Sequence, residues 1–156
     1  MRHELTYDAA LVDVAAMLAD PSFREEVGAY QRVISTDVSI ETDADTKVVV
    51  VDQVQPATGV PGFARKFVGD TINIVQREDW SSLDAADLHV TIPGKPGEMT
   101  GTIALVESGA QTTETVDVRI TVNLPLVGAK IESLIADLLH HALEAETTVG
   151  RDYLSR

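Results

Sequence analysis

The sequence predicts an α+β fold in which an antiparallel β-sheet packs against a long C-terminal α-helix. Residues 124–153 run from Leu124-Pro125 without another proline and place apolar side chains at helical spacing. This 3.6-residue period lasts for about six turns, as in an amphipathic helix. Most of residues 32–124 instead alternate between apolar and polar side chains, which is the period of β-strands. A helix of this length needs a wide apolar surface, and we expect the sheet to supply it.

Length and composition indicate one domain spanning residues 1–156 with an aliphatic core. Hydrophobic residues make up 44% of the chain but aromatic residues only 4%. There is no cysteine, so disulfides, thiolate nucleophiles and sulfur-rich metal sites are excluded. The 25 acidic and 12 basic residues leave a formal net charge of −13, which argues against binding to nucleic acid or to anionic lipid surfaces.

The chain start and its hydropathy indicate a cytoplasmic protein without stable membrane insertion. Residues 1–5, Met-Arg-His-Glu-Leu, carry charge where a secretory signal peptide has its apolar region. No apolar run approaches the length of a membrane span.

The first thirty residues predict a strand followed by two short helices. Residues 2–7 alternate as a strand, and Asp8 is predicted to cap a helix over residues 9–19. Pro21 suits the first turn of the second helix. We expect that helix to turn its apolar residues inward, namely Phe23, Val27 and Tyr30. We expect its charged residues to face solvent, namely Arg24, Glu25 and Glu26.

Six further strands are predicted from the alternation, which brings the total to about seven. They cover residues 34–41, 47–54, 70–80, 87–92, 98–107 and 112–123. Because the connections between them are short, the sheet should be antiparallel with one apolar face.

Residues 55–69 interrupt the strands with two prolines and three glycines and contain both Phe63 and Phe67. Long irregular connections are often binding or gating loops. One interpretation is a loop anchored to the core by the two rings, with one helical turn at residues 62–68. The other is a lid whose aromatic rings close the mouth of a cavity. The two interpretations are compatible.

Several segments resemble a known superfamily. They are His3-Glu4-Leu5-Thr6-Tyr7-Asp8, residues 14–24, Ile92-Pro93-Gly94-Lys95-Pro96-Gly97, and Ile135-Ala136-Asp137-Leu138-Leu139 with Glu144-Ala145-Glu146. With the order of elements, they make the chain similar to the START-like (SRPBCC, polyketide cyclase-like) superfamily, and in particular to a bacterial family of uncharacterised function within it. The resemblance implies a helix-grip fold, in which a curved sheet wraps the last helix. It also implies a cavity between sheet and helix that accepts an apolar small molecule, but no catalytic residue.

The four histidines predict no metal site. His140 and Glu144 have the i, i+4 spacing that can clamp a metal, but both are expected to point away from the core, and no His-Glu-x-x-His motif is present. His89 is expected to face solvent. His3 is either an edge residue or a polar group at the end of a cavity. No cofactor is predicted.

Acid–base catalysis would need a carboxylate or histidine in a dry pocket. The inward-facing polar candidates are Thr36, Gln76, Thr100 and Thr102, none of which is a strong base. An inward carboxylate or histidine near Gln76 would favour an enzyme of the cyclase or hydrolase type.

We therefore predict non-catalytic binding of a hydrophobic small molecule or lipid between the sheet and the C-terminal helix. The residues expected at that site are Phe63, Phe67, Gln76, Trp80, Leu88, Val90, Ile92, Ile103, Leu105, Ile131, Leu134, Ile135 and Leu138. An alternative is a protein-interaction module with a filled core and an exposed patch at Leu139 and Leu143. The chain is expected to be a monomer or a homodimer.

Overall fold

A computed structural model describes residues 1–156. The elements along the chain are β1 (Arg2–Tyr7), α1 (Leu11–Leu18), α2 (Pro21–Tyr30), β2 (Ser35–Asp43), β3 (Thr46–Pro56), α3 (Gly62–Val68), β4 (Thr71–Trp80), β5 (Ala85–Thr91), β6 (Glu98–Ser108), β7 (Gln111–Thr121) and α4 (Gly128–Leu154). The predicted order of strand, two helices, further strands and long C-terminal helix is confirmed.

The strands form one seven-stranded antiparallel sheet in the order β1-β7-β6-β5-β4-β3-β2. Strands β2 to β7 follow one another as a meander, and β1 pairs with β7 at the far edge. The two short helices therefore carry the chain from one edge of the sheet to the other. With α4 lying on the inner face, this is the predicted α+β helix-grip architecture.

The C-terminal half of α4 packs closely onto β1 and α1. A Cβ atom placed on Gly150 would lie 2.7 Å from Cε1 of Tyr7 and 3.2 Å from Cε of Met17. The Tyr7, Met17 and Phe23 side chains beneath this part of the helix are fully buried. One half of α4 is thus seated on a filled core.

Helix α1 begins at Leu11 rather than at residue 9, and the prediction that Asp8 caps it is wrong. The N-cap is Ala10, which makes no side-chain hydrogen bond. The Leu11 amide instead donates to Oε1 of Glu107 in β6, at 2.6 Å, while Asp8 accepts from Gln111. A carboxylate from a distant strand therefore satisfies one of the amides that a local cap would satisfy. Helix α2 does begin at Pro21, as predicted, and Asp20 caps it.

The orientations predicted for Arg24 and Tyr30 are wrong, and the alternative of an exposed leucine patch is not realised. Tyr30 is 58% exposed. Arg24 is buried, because its guanidinium reaches inward to the carboxylate of Glu78 and to the backbone carbonyl of Leu18. Leu143 is only 6% exposed and Leu139 packs against the core, so no exposed patch exists at these two leucines.

Candidate functional site

A cavity of about 250 Å³ lies between the sheet and the N-terminal half of α4. Most of its lining residues are hydrophobic. The sheet contributes Ile72, Ile74 and Val90, with Ile92 just after β5, and α4 contributes Ile131, Leu134, Ile135 and Leu138. Polar groups at its wall include Gln31, Gln53 and Gln76. We refer to this space as the outer cavity.

The segment between β3 and β4 forms one wall of the outer cavity. It contains α3, and Ala57, Val60 and Ala64 pack with Ile72 of β4 in a small buried cluster. Phe67 lines the cavity, but Phe63 is 40% exposed. Small aliphatic side chains, rather than both aromatic rings, therefore anchor this segment. The helical turn considered at residues 62–68 is present as α3, and its action as a lid stays a prediction.

A smaller space of about 80 Å³, the inner chamber, adjoins the outer cavity. Gln76, Met99, Leu139 and Ala142 are among the side chains that line both spaces. The inner chamber differs from the outer cavity by its charged groups, which come from four elements. They are Arg24 of α2, Glu78 of β4, Glu114 of β7 and Glu146 of α4.

Glu78 is completely buried and its carboxylate is fully occupied by protein donors. Arg24 Nη2 donates to Glu78 Oε1 at 2.8 Å, and Trp80 Nε1 donates to the same oxygen at 3.0 Å. Gln76 Nε2 donates to Glu78 Oε2 at 2.6 Å, and Arg24 Nε donates to the Leu18 carbonyl at 2.9 Å. Burial lowers the pKa of Arg24, but the charges of Glu78, Glu146 and Glu114 outweigh that effect and the net pKa is raised.

Glu114 and Glu146 form a carboxyl pair whose members are hydrogen-bonded to each other, without a cation paired to it as Arg24 is to Glu78. Burial, and then the charge of Glu146, raise the pKa of Glu114 well above its usual range, against the opposing effect of Arg24. Burial also raises the pKa of Glu146, and Arg24 again opposes the shift. Glu146 is half-buried, yet its Oε1, like Oε2 of Glu114, is enclosed and receives no hydrogen bond from a residue outside the pair.

Tyr7 is the remaining buried polar group near this pair. Its hydroxyl is enclosed and has no hydrogen-bond partner. Burial, followed by the charges of Glu146 and Glu114, raises the pKa of Tyr7, so its hydroxyl stays protonated. Buried polar groups are usually hydrogen-bonded, so an unpartnered hydroxyl beside a buried carboxyl pair is an exception.

The structure brings most of the predicted site residues together. Those at the outer cavity are Phe67, Gln76, Val90, Ile92, Ile131, Leu134, Ile135 and Leu138. Leu88 and Ile103 line the inner chamber, which Gln76 and Val90 also reach. Phe63, Trp80 and Leu105 line neither space. Trp80 and Leu105 are buried in the core, and the indole of Trp80 is turned toward Glu78.

Sequence reasoning missed the four charged residues of the inner chamber. For Glu78 and Glu114, which lie in strands, the alternation of the sequence held a signal. Glu78 lies on the same face of β4 as Ile72, Ile74 and Trp80. Glu114 lies on the same face of β7 as the inward-facing valines. A glutamate at an inward position is unusual enough to indicate a paired or functional group.

The histidines make exposed contacts rather than a metal site. His140 Nε2 lies 3.2 Å from Glu144 Oε1, and His89 Nε2 lies 2.9 Å from Glu98 Oε2. The ring of His3 contacts that of His140 edge-on, and burial, followed by the charge of His140, lowers the pKa of His3. No group of three or more His, Cys, Asp or Glu side chains is placed to hold a metal ion. None of the helices combines the length and the hydropathy needed to cross a membrane.

Several solved structures of other proteins have the same fold as this chain. TTHA0849 from Thermus thermophilus is similar at 16% identity and a TM-score of 0.68, over 97% of this chain and 94% of that one. A START superfamily protein from Mycobacterium smegmatis is similar at 14% identity and a TM-score of 0.58, over 97% of both chains. The di-domain ARO/CYC protein StfQ of the steffimycin biosynthetic pathway matches at 12% identity and a TM-score of 0.63, over 97% of this chain and 49% of StfQ.

The chain thus has the START-like, polyketide cyclase-like fold. A family model described as "Protein of unknown function (DUF2505)" matches residues 2–154, so the chain belongs to this family. The predicted likeness to an uncharacterised family is confirmed, and so is the predicted START-like fold. No match was found among curated proteins.

Proposed function

We propose that the protein binds a hydrophobic small molecule or a lipid in the outer cavity. The observation that carries this proposal is a cavity of about 250 Å³ between sheet and helix, lined mainly by hydrophobic residues. Ligand pockets are typically concave, largely apolar spaces with a few polar groups that orient the ligand. Gln31, Gln53 and Gln76 are the polar groups at this wall.

The energetics of packing support binding. Full contact between sheet and helix would gain roughly 1.5–3 kcal/mol for each aliphatic side chain that became fully buried. Leu138 is instead 40% exposed, and Leu134 and Ile135 are half-buried at the cavity wall. A bound apolar molecule would cover these side chains and recover part of that energy.

Ala142 offers a direct test because it lines both the outer cavity and the inner chamber. We expect Ala142→Phe to weaken binding of the neutral fluorescent dye prodan by at least about tenfold, which corresponds to about 1.4 kcal/mol. The added ring would occupy the space that the dye needs. The measurement is a fluorescence titration of the purified protein.

The matched control is Ala129→Phe, which adds the same ring at an exposed position of α4. Its affinity for prodan should equal that of the wild type. Equal affinities in both variants would place the dye elsewhere and overturn the proposal, as would the absence of saturable binding to the wild type. Native mass spectrometry of the purified protein, followed by solvent extraction, would identify any molecule that co-purifies.

A second candidate function is acid–base catalysis on the bound molecule. One specific observation favours it: Glu78 is an inward carboxylate hydrogen-bonded to Gln76, and the buried carboxyls of Glu114 and Glu146 lie in the same chamber. A carboxyl group in a dry site whose pKa is raised can act as a general acid or base at neutral pH.

Hydrogen–deuterium exchange next to the carbonyl of a simple cyclic ketone tests this candidate. NMR in heavy water would follow the exchange with wild type and with Glu114→Gln. Catalysis predicts that the wild type accelerates exchange and that the variant loses at least about tenfold of that rate, since general acid–base catalysis contributes about a hundredfold or more. A wild-type rate equal to that of buffer would exclude proton abstraction from this substrate.

A further inference from the structure

The carboxyl groups of the inner chamber outnumber its cations. Arg24 is the only cation among its lining residues, and it is paired with Glu78 through a hydrogen bond of 2.8 Å. The Arg24 Nε group is also engaged, because it donates to the Leu18 carbonyl. Glu114 and Glu146 therefore face the chamber without a cation of their own.

The same two carboxyls are hydrogen-bonded to each other, but no donor from another residue reaches Glu114 Oε2 or Glu146 Oε1. Glu114 is 2% exposed, and the Oε1 atom of Glu146 in α4 is likewise enclosed. These two acceptors belong to residues that line an unfilled space, which adjoins a larger apolar cavity. The chamber thus holds two carboxyl groups with which no protein cation is paired.

We propose that the inner chamber binds the ammonium group of an amphiphilic primary amine, whose apolar body fills the outer cavity. This inference rests on the proposed binding function and names the class of ligand. An ammonium group brings one positive charge and three N–H donors, which suits two adjoining carboxyl groups with which no protein cation is paired. A hydroxyl group brings one donor and no charge. A carboxylate would add a negative charge beside three glutamates.

The pH dependence of binding follows from the groups that face the pair. These are Tyr7 from β1, Arg24 from α2 and Glu78 from β4, with Glu114 and Glu146 themselves from β7 and α4. Without a ligand the pair retains protons, because burial raises the pKa of both carboxyls. An ammonium group must displace such a proton. Amine affinity should therefore fall as pH falls, and rise with pH until the amine itself loses its charge.

A matched series of eight-carbon compounds tests the proposal. Octylamine, octanol, octanoate and octane share one apolar body and differ in the end group. Each would compete with prodan for the wild type, and isothermal titration in buffers of different ionisation enthalpy would count the protons released. We expect octylamine to bind at least about tenfold more tightly than octanoate and more tightly than octanol, with proton release, as charge-assisted hydrogen bonds predict.

The variants Glu114→Gln and Glu146→Gln should each remove the preference for octylamine over octanol, by about tenfold. Glu144→Gln is the control, because Glu144 is an exposed glutamate on the same helix. The wild-type series decides the question alone if either buried variant fails to fold.

The outcomes separate the two proposals. If neither prodan nor any of the four compounds binds, the proposed binding function fails. If octanol and octane compete while octylamine shows no preference over octanoate, the cavity binds apolar molecules and the amine site is overturned. Amine binding without proton release, or with affinity that rises as pH falls, would also contradict the inference.

Discussion

Replacing Glu78 with alanine is expected to destabilise the protein by about 3–5 kcal/mol, because it leaves a buried guanidinium without its counter-ion. Glu78 is fully buried and accepts hydrogen bonds from Arg24, Gln76 and Trp80. Its removal would leave the charge of Arg24 and the indole N–H of Trp80 buried without a partner. Equilibrium unfolding in urea, followed by circular dichroism, measures the change.

Two variants make this result specific to the buried pair. Asp79→Ala removes the neighbouring acidic residue, whose ion pair with Arg77 is exposed, and should cost only about 0–1 kcal/mol. The double variant Arg24→Met, Glu78→Leu removes both charges and should be more stable than Glu78→Ala alone, since apolar replacement of a buried ion pair is often neutral. A cost for Glu78→Ala no larger than that for Asp79→Ala would contradict the network described above.

The fold was predictable because its strands and its long helix repeat simple periods. Alternation over β4, with Ile72, Ile74 and Trp80 on one face, predicted that strand correctly. Strands β2 to β7 each pair with their neighbours along the chain, and β1 pairs with β7. Hydrophobic periodicity is set by which face is buried, so it survives even where individual side chains are unusual.

The inner chamber was not predictable in the same way, because it depends on side chains that break the pattern. Arg24 was assigned to solvent from its charge, whereas its guanidinium reaches Glu78, fifty-four positions along the chain. Glu146 in α4 meets Glu114 of β7 only once the helix lies across the sheet. Local sequence cannot show such pairings, since each partner is stabilised by a residue from a distant element. The inward parity of Glu78 and Glu114 was the one local clue.

The two halves of α4 differ in how closely they pack against the rest of the protein. The C-terminal half of α4 is fixed by close contact at Gly150 with Tyr7, whereas its N-terminal half faces the outer cavity through Ile131, Leu134 and Ile135. Regions with fewer buried contacts open at lower free-energy cost. The filled end therefore holds the helix, and the cavity end is where the proposed ligand would enter.

The close approach of β6 and β7 at Gly101 leads to the second large effect. Gly101 lies on the inward face between the buried residues Met99 and Ile103. A Cβ atom placed there would be 1.9 Å from the carbonyl oxygen of Asp117 and 2.7 Å from Cα of Val118. These are backbone atoms of the paired strand, so no side-chain rotation can relieve the clash.

We expect Gly101→Ala to destabilise the protein by at least about 1–3 kcal/mol, the usual cost of overpacking. The gain of roughly 0.4–1 kcal/mol from a less flexible unfolded chain does not offset it. Gly59→Ala is the matched control, because no atom lies within 4 Å of its Cβ position and that variant should unfold at the wild-type urea concentration or above it. A Gly101→Ala midpoint equal to that of Gly59→Ala would mean that the strands separate at little cost.

The same variant should also affect binding. Gly101 pairs with Leu88 of β5 and with Val118 of β7, both of which line the inner chamber. The shift that accommodates the methyl group should therefore also weaken prodan binding.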